Sequence, residues 1–307
     1  MRLAAIDIGT NSTKMTVADV SESGALTVVS EVSEVTRLGE GVDASKRLNE
    51  AAMERTLAAV TQYAADARSL GAEEVLGAGT SALRDAANGP DFLASAKLRA
   101  GVEIQIISGD REAQLAYAAV RSDASLGIPA DAILLVFDIG GGSTELILGN
   151  QTGAGRHASL NVGAVRLTER FLHSDPPTAE EMQEATAFVR SAFQAFELPE
   201  TLPRIAGIGG TALNIAAVMT GLLSPDPDAV HALTITHSAV AEARARFASV
   251  PVIERRKIPG LEPKRADIIV AGTLILDCLL TYFSADSFLL SARGLRYGLL
   301  ADYASHQ

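Results

Sequence analysis

The sequence predicts an α/β protein of two domains built from a duplicated unit. Three observations carry this. At 307 residues the chain is long enough for two domains of about 150 residues each. Short apolar runs of strand character alternate along it with stretches of helical period. Residues 7–17, DIGTNSTKMTV, return as residues 138–148, DIGGGSTELIL, with Asp, Ile, Gly, Ser and Thr coinciding without a gap. With 48% hydrophobic and 21% charged residues there is apolar material for two cores, and disorder and collagen-like structure are excluded.

The elements follow in order. Residues 2–8, 13–20 and 25–35 read as three successive strands. Over 50–67, Met53, Leu57, Val60 and Ala64 share one face of an amphipathic helix. Strand-like runs follow at 74–78 and 102–107, and the Ser/Asp/Gly/Pro-bearing segment 121–132 marks a domain boundary. The domains are expected at 1–122 and 123–307, with the last helix, about 296–307, packing back on the first. A new strand, AILLVFDIG, opens the second half. Thr178 and Glu181 then form a T-x-x-E cap ahead of Met182, Ala185, Val189, Ala192 and Phe196 on one helix face. A strand at 204–208, a helix after Gly210, an apolar helix at 266–283 and a strand at 286–291 complete the chain.

A net charge of −11 repels nucleic acid and anionic membrane surfaces, so neither is an expected partner. It leaves room for a polyanionic substrate in a locally basic cleft. The single cysteine, Cys278, excludes an intramolecular disulfide and a Cys-based zinc site, and reads as a buried structural thiol. The start, MRLAAIDIG, turns polar too early for a signal-peptide core, and the run 266–283 carries Asp267, Gly272, Thr273 and Asp277, too polar for a membrane span. A soluble, cytoplasmic protein is expected. The five histidines lack metal spacing, and His231 and His237 read as surface or loop residues.

Each repeated segment is a strand, a Gly/Ser/Thr/Asn-rich turn and a second strand. Such turns bring backbone N–H groups and hydroxyls to one point and suit phosphate. Gly lets the backbone approach the phosphate oxygens. Asp7 and Asp138, which open the turns, are of the type that holds Mg²⁺ together with phosphate oxygens; each could equally cap its turn, and the pairing favours the functional reading. Lys14 stands where Glu145 stands in the second copy, which fits a cation for phosphate clamping opposite a carboxylate for metal; either could be an exposed strand residue. Glu112 follows a strand and a turn, in the first turn of a helix, where on spacing alone a carboxylate is an ordinary partner of the helix dipole. Arg84 alone reads as a surface charge.

The pair DIGTNST and DIGGGSTE, with GTSALRDA (79–86), ISGDREAQLAY (107–117), GIGGTALNIAA (207–217), PGLEPKRADIIVAG (259–272) and SARGLRYGLL (291–300), resembles in this order the exopolyphosphatase / guanosine pentaphosphate phosphatase family. The resemblance spans essentially the whole chain. It implies the duplicated two-domain actin-like ATPase fold, shared by actin, sugar kinases and Hsp70, with an active site in the interdomain cleft. It also implies a cytoplasmic, Mg²⁺-dependent (or Mn²⁺-dependent) hydrolase of terminal phosphoanhydride bonds, a homodimer, and a short form without C-terminal helical domains. Carried over by position, Glu112 is the general base and Arg84 a phosphate contact. Asp138 and Glu145 are at the positions associated with metal and water, and Asp7 joins them as a metal residue on the reading of the repeat. Thr10, Asn11 and Ser12 belong to one phosphate loop, with Lys14 beside them on the reading of the repeat, and Gly140, Gly141, Gly142 and Ser143 to the other. Arg111 stands where a second acid is common, adding positive charge beside the base, and Tyr297 where Glu is common.

The expected substrate is inorganic polyphosphate, with guanosine pentaphosphate (pppGpp) the first alternative. A small-molecule kinase and a nucleotide-gated module of the same superfamily are the rivals outside that chemistry. The basic groups expected to grip the polyanion are Lys14 and Arg84 at the catalytic end, with Arg166, Arg265, Arg293 or Arg296 further along.

Overall fold

In the computed structural model, which describes residues 1–21, 25–199 and 201–306, the chain forms two compact units. One joins Met1–Ala119 to Arg293–Gln307, and the other is Val120–Ala292. The division falls inside the helix Gly109–Arg121, just before the connection at 121–132.

The first unit holds β1 (Arg2–Ile8), β2 (Thr13–Val20), β3 (Leu26–Glu34), β4 (Glu74–Gly79) and β5 (Ile104–Ile106), ordered β3-β2-β1-β4-β5. Strands β1, β2 and β3 pair antiparallel, while β4 lies parallel to both β1 and β5. Strand β1 is central and buried on both faces, as its near-continuous apolar sequence requires. Ala4, Ile6 and Ile8 pack toward Val60, Ala64 and Phe92 of the helices Glu50–Ser69 and Gly89–Ala100. Leu3 and Ala5, on the opposite face by the period of two, pack with Ala18, Val20 and Leu300 of the helix Leu295–Ala304. That helix approaches closely: a Cβ on Gly298 would stand 2.2 Å from the Leu115 carbonyl oxygen.

The second unit holds β6 (Leu134–Ile139), β7 (Thr144–Asn150), β8 (Gly153–Leu160), β9 (Arg204–Ile208), β10 (Thr234–Thr236) and β11 (Ser287–Leu290), ordered β10-β11-β9-β6-β7-β8. Its pairing repeats the first: β6, β7 and β8 antiparallel, with β9 parallel to β6 and β11 parallel to β9. Even the irregularities correspond. The register of β2 shifts between Val17 and Ala18, and that of β7 between Leu148 and Gly149, the matching positions of the repeat. The duplication read from eleven residues therefore extends over five strands.

The apolar run around Cys278 forms the helix Ile269–Tyr282, buried on nearly every side among the helices of this unit. Its all-round hydrophobicity is that of a core helix. Among the described residues, no helix is long and apolar enough to cross a membrane. Cys278 is buried, and burial first, then the charge of Asp277, pushes its thiol up to about 11, so it packs as an inert small apolar group. Thr178 and Glu181 make the reciprocal cap of the helix Ala179–Phe193 that their spacing predicts.

Candidate active site

Both repeated turns close in the same way. The Gly9 N–H donates to the Ser12 carbonyl at 3.0 Å, and the Gly140 N–H to the Ser143 carbonyl at 2.9 Å. A Cβ on either glycine would stand 3.1 Å from that serine's carbonyl oxygen. In the strands that carry the turns, Asp7 lies opposite Lys14 and Asp138 opposite Glu145. Thr10, Asn11, Ser12 and Ser143 are buried.

In the first unit, β4 runs into the short helix Ser81–Asp85, which carries Arg84 in its last turn. Arg84 Nη1 donates to Glu112 Oε2 at 2.7 Å and to the Ile107 carbonyl at 2.9 Å. Glu112 lies in the first turn of Gly109–Arg121, its N–H donating to the Ser108 carbonyl at 2.9 Å. The fold thus joins two residues that are separated by 28 positions and that spacing alone would leave as surface charges. Burial pushes the Asp7 carboxyl above the ordinary carboxylate range, opposed by the charges of Lys14 and then Arg296.

In the second unit, Glu145 is buried, and its Oε1 accepts both the Ser143 hydroxyl at 2.7 Å and the Ser159 hydroxyl at 2.8 Å. The turn after β9 is pressed against Asp138: Gly209 has φ +99°, and a Cβ there would stand 2.6 Å from Asp138 Oδ1. On Gly210 a Cβ would stand 2.4 Å from the Arg265 guanidinium. Half-buried Arg265 has its pKa lowered by desolvation, while Glu262, Asp267 and Asp138 support its charge. Arg265 and Gly209–Gly210 therefore belong with Asp138. The two glycines carry a sequence signal, a strand followed by G-G-T and then a helix, which differs from the strand–turn–strand of the first two turns.

Several other basic groups have structural partners. Arg166 Nε donates to the Gly142 carbonyl, next to the second turn. Arg296 bonds the Met15 carbonyl at 2.9 Å and Glu31 at 3.1 Å, and Arg293 lies over the Tyr297 ring. Tyr297 is buried, and burial raises its hydroxyl pKa, so it packs the base of helix Leu295–Ala304. The Arg111 charge is paired with Asp302. His231 stands in the turn after Pro227–Val230, a loop position as its spacing predicts, and is half-buried there. Its Nδ1 accepts from the Ala292 N–H at 3.1 Å, and its Nε2 meets Ser125 Oγ at 2.8 Å and Asp123 at 3.2 Å. His237 likewise bonds Asp277 at 3.0 Å.

Among the described residues, no three His, Cys, Asp or Glu side chains gather as a metal cage. The carboxylates present fit an ion that takes one or two protein oxygens and completes its shell from phosphate and water, as Mg²⁺ does.

Residues 16–307 match the model of the Ppx/GppA phosphatase family. The chain belongs to that family. It is 35% identical over 288 residues to exopolyphosphatase 2 of Mycobacterium tuberculosis, covering 90% of this chain and 89% of that protein. It is 33% identical over 298 residues to the bifunctional 3-dehydroquinate synthase/phosphatase of Fusobacterium nucleatum, covering 94% of this chain but only 44% of that protein's length. The crystal structure of the Aquifex aeolicus Ppx/GppA family member superposes with a TM-score of 0.83 at 32% identity, over 100% of this chain and 98% of the other. The duplicated α/β fold expected from the sequence is the fold of this Ppx/GppA chain, and its chemical class is phosphoanhydride hydrolysis.

Proposed function

We propose that the protein is an exopolyphosphatase, cleaving the terminal phosphoanhydride bond of inorganic polyphosphate to release orthophosphate. The observation that carries the reading is the Arg84–Glu112 pair, a guanidinium of the kind that binds phosphate held on a buried carboxylate, in a chain with two identically closed Gly/Ser turns. Glu112 would orient the attacking water and take its proton as oxygen bonds to the terminal phosphorus. The bridging P–O bond breaks, and the shortened chain leaves with the electron pair. Arg84 and Lys14 would hold the phosphoryl oxygens, together with Thr10, Asn11 and Ser12 and with Gly140, Gly141, Gly142 and Ser143. Asp138, with Glu145 and Asp7, would hold Mg²⁺ or Mn²⁺, which supplies neutralising charge on the phosphoryl oxygens. Such catalysis rests on positioning and electrostatics. The reading includes a cytoplasmic homodimer, in keeping with the family resemblance.

The test is orthophosphate release from polyphosphate, guanosine pentaphosphate and ATP, side by side, with and without Mg²⁺. Polyphosphate should be turned over fastest, and only with the metal. Faster turnover of guanosine pentaphosphate would replace the substrate and leave the reaction type standing. Release from none of the three would overturn the reading.

A further inference from the structure

The helix Ala164–Phe171 begins against the second turn. Its Ala164 N–H donates to the Gly140 carbonyl at 2.9 Å, and the N–H groups of Val165 and Arg166 donate to the Gly141 carbonyl at 2.9 and 3.1 Å. The Arg166 side chain adds another bond, Nε to the Gly142 carbonyl at 2.8 Å, with the residue only 9% exposed. Gly163 permits the approach, since a Cβ there would stand 2.4 Å from the Gly141 carbonyl oxygen. In a planar trans peptide the C=O of one residue and the N–H of the next point to opposite sides. Holding the carbonyls of residues 140, 141 and 142 toward the helix turns the N–H groups of Gly141, Gly142 and Ser143 the other way. Successive N–H groups so aimed make an anion-binding concavity.

The first turn supplies an internal comparison. There the Thr10 carbonyl takes the Gly39 N–H at 2.8 Å, and the Asn11 carbonyl takes the Arg37 N–H at 3.0 Å. In the repeat, Thr10 matches Gly141 and Asn11 matches Gly142. The carbonyl that one unit fixes with a backbone amide is fixed in the other by a guanidinium. Charge strengthens that bond, and unlike a backbone amide the guanidinium can be removed by substitution.

We infer that Arg166 is a positioning residue: its guanidinium pins the Gly142 carbonyl and so aims the Ser143 N–H at a phosphate oxygen of the substrate. The identity of that ligand rests on the phosphoanhydride reading above. A residue touching the substrate further along its length would behave differently, because its loss would matter more for long chains than for short ones.

The experiment uses Arg166→Met, which removes the donor at similar volume, and Arg166→Lys, which keeps the charge without the Nε. KM and kcat are measured on tripolyphosphate and on long polyphosphate. Amide exchange is followed at Gly140, Ala164 and Val165, whose N–H groups bond within the turn, with Gly9 and Gly39 as the reference. Arg166→Met should raise KM by about 10-fold or more on both substrates by the same factor. It should speed exchange at the three turn amides by about 10-fold and leave the reference unchanged. Arg166→Lys should fall between wild type and Arg166→Met in both readouts, and it supplies the comparison alone should Arg166→Met not fold. Wild-type exchange at the turn in either folded variant overturns the inference, as does a KM loss that grows with chain length. Exchange needs no turnover, so a protein inactive on every phosphoanhydride would reject the substrate and leave the pin to be decided separately.

Discussion

Arg84 Nη1 stands 2.7 Å from Glu112 Oε2 and 2.9 Å from the Ile107 carbonyl oxygen, so a single nitrogen ties the carboxylate to the end of a strand. Both side chains are largely shielded, at 20% and 12% exposure. An incoming phosphoryl oxygen would compete with Glu112 for that nitrogen, which couples substrate binding to release of the base.

Glu112→Gln keeps the shape and an oxygen for Arg84 but removes basicity. The expected result is a kcat lowered by ~10²–10⁴ with KM little changed, the usual range for loss of a general base. A variant keeping about half of wild-type kcat would remove Glu112 from the role.

On the proposed reading Arg84 contacts the reacting end, so Arg84→Ala should raise KM on short and long polyphosphate alike. It also strips a partly buried carboxylate of its partner, lowering stability by ~1–3 kcal/mol in denaturant titration. Unchanged KM on both substrates would leave Arg84 a purely structural partner of Glu112.

For Asp138, the substitution to Asn should raise the Mg²⁺ concentration needed for half-activity, and chelation should abolish wild-type turnover. Full wild-type turnover in excess chelator would refute the metal role.

Asp7 gives a pH prediction whose sign is set by burial, which raises its carboxyl above the unfolded value against the pull of Lys14 and Arg296. A group raised in the folded state favours folding at pH below its unfolded pKa and loses that contribution as pH rises through the folded one. At neutral pH the ionised carboxylate therefore costs stability. Asp7→Asn should melt above wild type at pH 7, and the gap should close below about pH 4, the unfolded carboxylate range. An Asn variant less stable at both pH values would mean that Asp7 is held by favourable bonds instead.

Most strands were legible because β1, β6 and β9 are largely apolar runs with flanking turn residues and β2 is rich in β-branched residues, and the helix Ala179–Phe193 because its cap is local. Strand β8 was not. Its sequence GAGRHASL has neither alternation nor β-branched residues, and it is a strand because β7 offers it a free edge. At the candidate site, the two turns could be read from the repeat, whereas Glu112 and Arg84 became visible only through the ordered motifs. The tie between them depends on long-range folding, as does the bond from Arg166 to a backbone carbonyl. The partners of His231 could not be read either, since Asp123, Ser125 and Ala292 lie far away in the chain.

The first unit is discontinuous, since Leu300 and its helix, which cover Leu3, Ala5, Ala18 and Val20, follow the whole of the second unit in the chain. During synthesis at about 5–20 residues per second, roughly 170 residues must be added between Ala119 and Arg293, a delay on the order of 10–35 s. Throughout it the β1–β2 face stays uncovered, an apolar surface of the sort that recruits chaperones or misassociates. The second unit is continuous and carries no such wait. Nascent chains halted before Arg293 should therefore expose a sticky sheet, and emergence of the helix Leu295–Ala304 should bury it in one step.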